Sequence, residues 1–346
     1  MKVKALKYLA VFSLPTLVIV SFLKEGFYVW LPVIEVFVLI PLLELFFKPN
    51  EENLSETEEE VLKKDVLYDW MVYATVPIQY ALLVFFLFTI SQTQQLNEIL
   101  GRTVAMGLLC GVFGINVGHE LGHRSNKGEQ FLAKALLLSS LYLHFFIEHN
   151  RGHHKNVSTP DDPATARKGE LLYFFWLRSI VMSYISAWKI QTDSLKKKKL
   201  SFFSSKNEML IMQIAQIGLL ISIAIFFGLK TMLLFMIAAF IGILLLETVN
   251  YIEHYGLLRQ KQKDRYEMVQ PHHSWNSDHV VGRIMLFELS RHSDHHFKAN
   301  RKYQVLRHME DTPQMPTGYP GMILLALVPP VWFWIMNRQI QKLQTH

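Results

Sequence analysis

A single cysteine, Cys110, is the whole thiol complement of the sequence. It excludes an intrachain disulfide and any metal cluster of this chain's own thiolates, which needs two to four cysteine ligands. Its place inside an apolar run fits a small packing residue. Charge is scarce too: 18% of the 346 residues are Asp, Glu, Lys or Arg, and the net charge is +6. The lysines and arginines sit between apolar runs, as in Lys196-Lys197-Lys198-Lys199, which suits anionic lipid or solvent and argues against nucleic acid. Neither an internal repeat nor a linker rich in Gly, Pro or Ser is present, so one domain over 1–346 is expected.

What is abundant is apolar surface. Hydrophobic residues make up 51% of the chain and aromatics 13%, and they gather into runs near the roughly 20 residues that cross a bilayer as a helix. Six spans are expected: Leu6–Phe22, Phe27–Phe47, Tyr68–Ile90, Gly101–Val117, Met209–Phe227 and Thr231–Val249. Gly321–Met336 is shorter and interrupted by Pro329-Pro330, which predicts an interfacial or capping segment. The start Met1-Lys2-Val3-Lys4 resembles a signal peptide, but small residues for cleavage do not follow, so a retained first helix is expected.

Lys2, Lys4 and Lys7 open the first span, whereas Ser91–Asn97 carries no Lys or Arg. The positive-inside rule therefore puts the amino terminus, and the loops after the second, fourth and sixth spans, in the cytoplasm. The acidic stretch Glu51–Glu60 in the first of these loops is expected to be solvated and mobile. Phe131–Phe146 is apolar for about 16 residues, slightly short for a span. A helix buried in protein or lying in the interface is expected there, because a crossing would part the histidines on either side of it. The fold class is thus all-α, a six-helix transmembrane bundle with a cytoplasmic histidine-rich cap.

The fifteen histidines are unevenly spread. Most fall in four groups beside the spans: His119-Glu-Leu-Gly-His123, His149-Asn-Arg-Gly-His153-His154, Glu253-His254-Tyr255-Gly256 and His292-Ser-Asp-His295-His296. Spacings of three and four put two imidazoles on one helix face, where both nitrogens can reach one metal. A lone histidine at an interface is ordinarily a satisfied polar residue. Four groups at one predicted face point instead to ligands, since ionisable residues there are costly and neutral imidazole is the commonest metal ligand. Nine candidates result: His119, His123, His149, His153, His154, His254, His292, His295 and His296. Nine exceeds one coordination sphere, so two metals are expected.

His-Glu-x-x-His alone is also the zinc-protease signature, but that enzyme needs three protein ligands and leaves two groups unexplained. A metal transporter would carry its ligands at mid-bilayer rather than at helix ends. Imidazole suits zinc, copper, iron and nickel alike. The membrane setting and the pairing of sites favour iron, because a di-iron pair can reduce dioxygen beside a substrate that dissolves only in lipid.

These segments, with Thr159-Pro-Asp-Asp-Pro163, Asn250-Tyr-Ile-Glu-His-Tyr-Gly256, Pro271-His-His-Ser-Trp-Asn-Ser277 and Pro316-Thr-Gly-Tyr-Pro320, closely resemble the histidine boxes and the His-Tyr-Gly motif of the membrane alkane 1-monooxygenase (AlkB-type alkane hydroxylase) family. The likeness runs from about the third span to Pro320. Histidine boxes of similar spacing recur across the wider desaturase and hydroxylase superfamily, so a fatty-acyl desaturase or hydroxylase is the alternative. The resemblance implies two irons held by the nine histidines and hydroxylation of the terminal methyl of an n-alkane with dioxygen. It also implies electrons from rubredoxin, recharged by a rubredoxin reductase and NAD(P)H, at the inner membrane. With one cysteine the chain cannot form rubredoxin's four-cysteine site, so a separate donor is expected. Arg291, Lys298, Arg301, Lys302 and Arg307 are a candidate docking surface for it, with solvated charge or phospholipid headgroup contact as the competing reading.

Glu120, Glu148, Asp162, Glu253 and Asp294 lie in or beside the boxes. They are expected to accept the second imidazole N–H of a ligand or to form ordinary ion pairs with Arg151 or Arg291. His272, His273 and His279 lack the box spacing and are read as supporting or structural, and His144, His308 and His346 as structural. In this family a bulky residue on the second span is thought to close the substrate channel. Val36 falls near that place.

Overall fold

The computed structural model describes residues 2–344. Six helices are long and apolar enough to cross a membrane: Leu6–Leu23, Gly26–Phe46, Val66–Gln92, Leu96–Gly122, Glu208–Phe227 and Leu229–His254. In hydrocarbon every backbone N–H and C=O must be satisfied within the segment, so such runs fold as helices. The chain is a multi-pass membrane protein. Beyond helices, the described residues hold one exposed hairpin, Lys261–Gln262 paired antiparallel with Arg265–Tyr266. The chain divides into two compact units.

The first unit comprises residues up to Glu35, Val66–Gly152 and Tyr184–Leu246. Here glycines let the fourth and sixth spans approach closely, as small residues do between membrane helices. A Cβ on Gly242 would stand 2.8 Å from Cys110 Cβ and 2.9 Å from the Gly111 nitrogen, and one on Gly107 would meet Ile241 at 2.7 Å. Cys110 is fully buried, as a packing residue should be. Gly242→Leu would wedge this contact apart. We expect it to lower unfolding stability by about 1–3 kcal/mol, read as a reduced unfolding midpoint in detergent, whereas Gly218→Leu, at a position with open space around it, should have little effect.

The fourth span is not uniform. An α-helix over Leu96–Leu109 passes into a π-helical stretch, Cys110–Val117, and returns to α-helix at Gly118–Gly122. Phe131–Phe146 is not among the spans. Asn126 caps a 13-residue helix, Lys127–Ser139, by accepting from Gly128 N at 2.7 Å, and Leu141 then takes a left-handed φ of 53°, so the chain turns back after about 20 Å.

The second unit comprises Val36–Asp65, His153–Ser183 and the chain from Glu247. Its core is aromatic: Tyr251, Tyr255, Phe175, Trp275, Tyr319 and Trp332 pack with Met336 and Ile340. Tyr251, on the last turn of the sixth span, and Tyr255, just past its end, pack together with ring centroids 5.4 Å apart. Trp275 Nε1 donates to Tyr255 O at 2.9 Å, and Tyr251 OH to Glu170 O at 2.6 Å. Gly256 ends the helix at φ 71°, and a Cβ there would lie 2.5 Å from Ile340 Cδ1. The last apolar stretch forms two helices, Tyr319–Ala326 and Pro329–Gln344. They cover this core, as a capping segment would.

The acidic stretch differs from expectation. Glu56–Leu62 is a helix closed by a capping box between Ser55 and Glu58, and Arg307 Nε donates to Glu59 at 2.8 Å. Two satisfied N-terminal donors and a buried Leu62 order what charge alone would have left mobile.

Candidate metal centre

In the second unit, four imidazoles from three separate segments meet. His153 follows a π-helical turn, His149–His153, and His254 is the last residue of the sixth span. His292 and His296 sit one turn apart on the short helix His292–Phe297. Their ligand nitrogens all lie within 4.8 Å of one another. His153 Nε2 is 3.3 Å from His296 Nε2, and His292 Nε2 is 3.3 Å from His254 Nε2. All four rings are buried.

Whether a metal fits can be tested on this geometry. A tetrahedron or octahedron with metal–nitrogen bonds of about 2.1 Å has edges of about 3.0–3.4 Å, which the two Nε2 pairs match. Burial, and then the neighbouring imidazoles, push His296 of the cage well below the usual imidazole range, so this ring is neutral and carries a lone pair. Four buried imidazole nitrogens facing one point fit a transition-metal ion.

Carboxylates flank the cage. Asp162 Oδ2 accepts from His153 Nδ1 at 2.9 Å, so Nδ1 carries the proton and the Nε2 lone pair faces the cage. The same oxygen accepts from Thr165 Oγ1 at 2.5 Å, and Oδ1 from Ala164 N at 3.2 Å, which fixes the carboxylate. Glu253 is placed differently from the expected carboxylate behind a ring. Its Oε2 lies 3.1 Å from His292 Nε2, the nitrogen that also faces His254, so it stands at the cage itself. Its Oε1 accepts from Tyr319 OH at 2.7 Å. Burial, and then the Glu253 carboxylate, hold that phenol well above its ordinary range. Tyr319 therefore keeps its proton on the shared bond. Nothing in the sequence singled it out beyond its place in Pro316–Pro320.

Asp294, on the histidine-bearing helix, accepts from Arg301 Nη1 at 2.7 Å and from Arg307 N at 2.9 Å. It anchors the following loop to that helix. His154 and His295 adjoin the cage, their ring centroids 5.0 Å apart and that of His154 4.5 Å from that of His296.

The first unit gathers His119, His123 and His149. Ring centroids are 4.8 Å apart for His119–His123 and 4.3 Å for His119–His149, and His123 Nε2 is 3.0 Å from His149 Nε2. Glu120 accepts from Arg124 Nε at 3.0 Å, and Arg124 also pairs with Asp69 at 3.0 Å. A carboxylate gripped by a buried guanidinium is a poor general base, which counts against the zinc-protease reading. Glu148 accepts from Ser186 at 3.4 Å.

The expected ion-pair partners are otherwise engaged. Arg151 pairs with Glu208 at 2.9 Å, and Arg291 with Asp278 at 3.0 Å. The docking surface is corrected as well. Arg291 is buried, Arg301 holds Asp294 and Arg307 holds Glu59, so three of its five cations are already neutralised by partners.

Among the remaining histidines, His273 Nδ1 accepts from Gln270 N at 2.9 Å, which leaves its Nε2–H to donate to Glu267 at 3.0 Å, with His272 beside it. His279 meets Ser277 and His308 meets Asp278. His346 lies outside the described residues. His144 is buried between Tyr142 and Tyr184, and burial pushes it down to about 4. The folded state therefore binds fewer protons than the unfolded one below pH ~6.5, so stability is lost as pH falls. About 3 kcal/mol should go between pH ~6.5 and ~4. Against wild type, His144→Phe should unfold with a flatter pH dependence in that window and the same dependence above it.

The fatty acid desaturase family matches residues 98–326. The chain is 41% identical over 297 residues to an alkane 1-monooxygenase of Pseudomonas putida, covering 85% of this chain and 73% of the relative. With alkane 1-monooxygenase 1 of Alcanivorax borkumensis the identity is 40% over 315 residues, 90% and 77% of the two chains. The chain belongs to the alkane 1-monooxygenase family. The xylene/toluene monooxygenase hydroxylase component of Pseudomonas putida is more distant, 30% identical over 244 residues, 70% and 64% of the two chains. Membership makes this chain an enzyme, and its clustered imidazoles could hold a metal ion.

Proposed function

We propose that the protein is a di-iron monooxygenase that hydroxylates the terminal methyl of n-alkanes to 1-alkanols, using dioxygen and electrons from a separate rubredoxin recharged by its reductase and NAD(P)H. The supporting observation is the buried four-imidazole cage in a chain of this family. In this reading residues 1–346 act as one hydroxylase domain of the inner membrane, with the site on the cytoplasmic side. The nine histidines together hold two irons, one of them in the cage of His153, His254, His292 and His296. Bound iron would supply the reduction of dioxygen and the oxidation of an unactivated C–H bond.

The protein's part is to position and to dry the site. Asp162 holds His153 in one tautomer, the Tyr319–Glu253 bond keeps a proton beside the cage, and the aromatic core beneath His254 excludes water. An alkane dissolved in lipid would reach the site from the bilayer side. Iron-loaded protein with rubredoxin, its reductase, NADH and ¹⁸O₂ should convert an n-alkane to the labelled 1-alkanol. Double-bond formation as the sole product, or no oxidation by metal-replete protein, would overturn the proposal.

A further inference from the structure

A cavity of about 460 Å³ opens in the first unit. Arg151, Gln191, Lys198, Lys206 and Glu208 line it, with Ile190, Leu195 and Leu200 as its apolar wall. Its size falls in the range of small-molecule sites, roughly 300–1,000 Å³. Its charge is one-sided. Glu208 is held by Lys134 at 2.8 Å and Arg151 at 2.9 Å, so one carboxylate faces two cations, and Lys198 and Lys206 add two more.

A second observation concerns Gln191. This side chain is 3% exposed, and its Nε2 donates to Lys206 O at 3.0 Å, while its Oε1 is buried with no hydrogen-bond partner. An orphaned buried acceptor is costly and wants a donor. The site therefore suits a ligand that is anionic and also carries a hydroxyl or ammonium.

The position says where such a ligand comes from. Asn207, fully buried, caps the fifth span by accepting from Leu210 N at 3.1 Å, so the cavity sits at the mouth of a membrane helix. Phe203 beside it is 82% exposed and Phe202 45%, with Phe202 stacked on Trp188 at 5.7 Å. Exposed aromatics next to lysines at a span end mark the headgroup level of a bilayer.

We propose that this cavity binds the headgroup of an anionic phospholipid, its phosphate against Arg151, Lys198 and Lys206 and a headgroup hydroxyl donating to Gln191 Oε1. The assignment rests on the spans lying in a bilayer and is independent of the iron chemistry. Phosphatidylglycerol has both features, phosphatidylmethanol the charge alone, and phosphatidylcholine neither a net charge nor a donor.

The full chain is reconstituted into discs of phosphatidylcholine with a titrated share of each anionic lipid, and lipid retained after detergent extraction is counted by mass spectrometry. Wild type should retain phosphatidylglycerol in preference to phosphatidylmethanol, and both over phosphatidylcholine. Lys198→Ala with Lys206→Ala should weaken anionic-lipid retention roughly thirtyfold, about fivefold per lysine. Gln191→Leu should keep the preference for charge but bring phosphatidylglycerol and phosphatidylmethanol level. Incorporation into phosphatidylcholine alone shows that the spans enter a bilayer, so a loss confined to anionic lipid reports on the cavity. Unchanged retention in the double lysine variant would overturn the proposal. So would competition of the bound lipid by millimolar inorganic phosphate, which would make this a site for a free anion.

Discussion

On the proposed di-iron reading, His254→Ala is expected to abolish measurable alkane hydroxylation, a loss of at least about a thousandfold, and to lower bound iron from two ions per chain to about one. The residue ends the sixth span and is fully buried, with its Nε2 3.3 Å from that of His292. No other group can replace it from solvent. Removing it leaves three imidazoles and a void, so the metal loses a bond and gains water. The loss should come in turnover and in iron content together. A conservative check is His254→Asn, which keeps a polar side chain but no ring nitrogen and should lose iron equally while retaining more of the fold. Two irons retained in either variant would show that the cage is not an iron site.

Much of this arrangement is legible in the residues. Six apolar runs become six spans because hydrocarbon leaves the backbone no alternative to helix. Their ends are less legible. The fourth run was expected over Gly101–Val117, but the helix extends over Leu96–Gly122. Polar residues hide the extension: Asn97 and Glu98 find partners within the chain, Asn97 Oδ1 accepting from Trp30 Nε1 at 3.0 Å and Glu98 Oε1 from Gly26 N at 3.1 Å. The sixth likewise continues through Asn250–His254, where Tyr251 joins the aromatic core. Spacing marked the histidines as ligands; what spacing cannot supply is the partner of each group. Tyr319 meets Glu253 across 66 residues and Arg307 meets Glu59 across 248, contacts that only the folded chain creates. The second of these ties one cation of the apparent basic docking surface into an ion pair. The capping box at Ser55 and Glu58 was local and readable, but the surrounding acidity concealed it. Glu44 on the second span is a further case: it is buried, accepts from Gly282 N at 2.9 Å, and leaves no room for a Cβ on Gly318, an arrangement that hydropathy records only as a flaw in an apolar run.

Asp162→Asn separates the role of a carboxylate that holds a ligand from that of the ligand itself. The substitution keeps size and position, and the amide oxygen can still accept from His153 Nδ1 at the same 2.9 Å, but the negative charge is gone. An amide can also turn its NH₂ toward the ring. His153 would then present an Nδ1 lone pair to the amide and an N–H to the cage, where the metal needs a lone pair. Thr165 Oγ1, which donates to the same carboxylate oxygen, opposes that turn. Partial retention is therefore expected: iron affinity and hydroxylation should fall about 10–100-fold, between wild type and the near-total loss in His254→Ala. Because the defect is in ligand orientation, raising the iron concentration should restore much of the activity. Asp162→Ala removes the acceptor entirely and should not be rescued in this way. If Asp162→Asn matched wild type in iron affinity at limiting metal, the carboxylate would be a structural pin for the loop after His153 and would have no part in holding the metal.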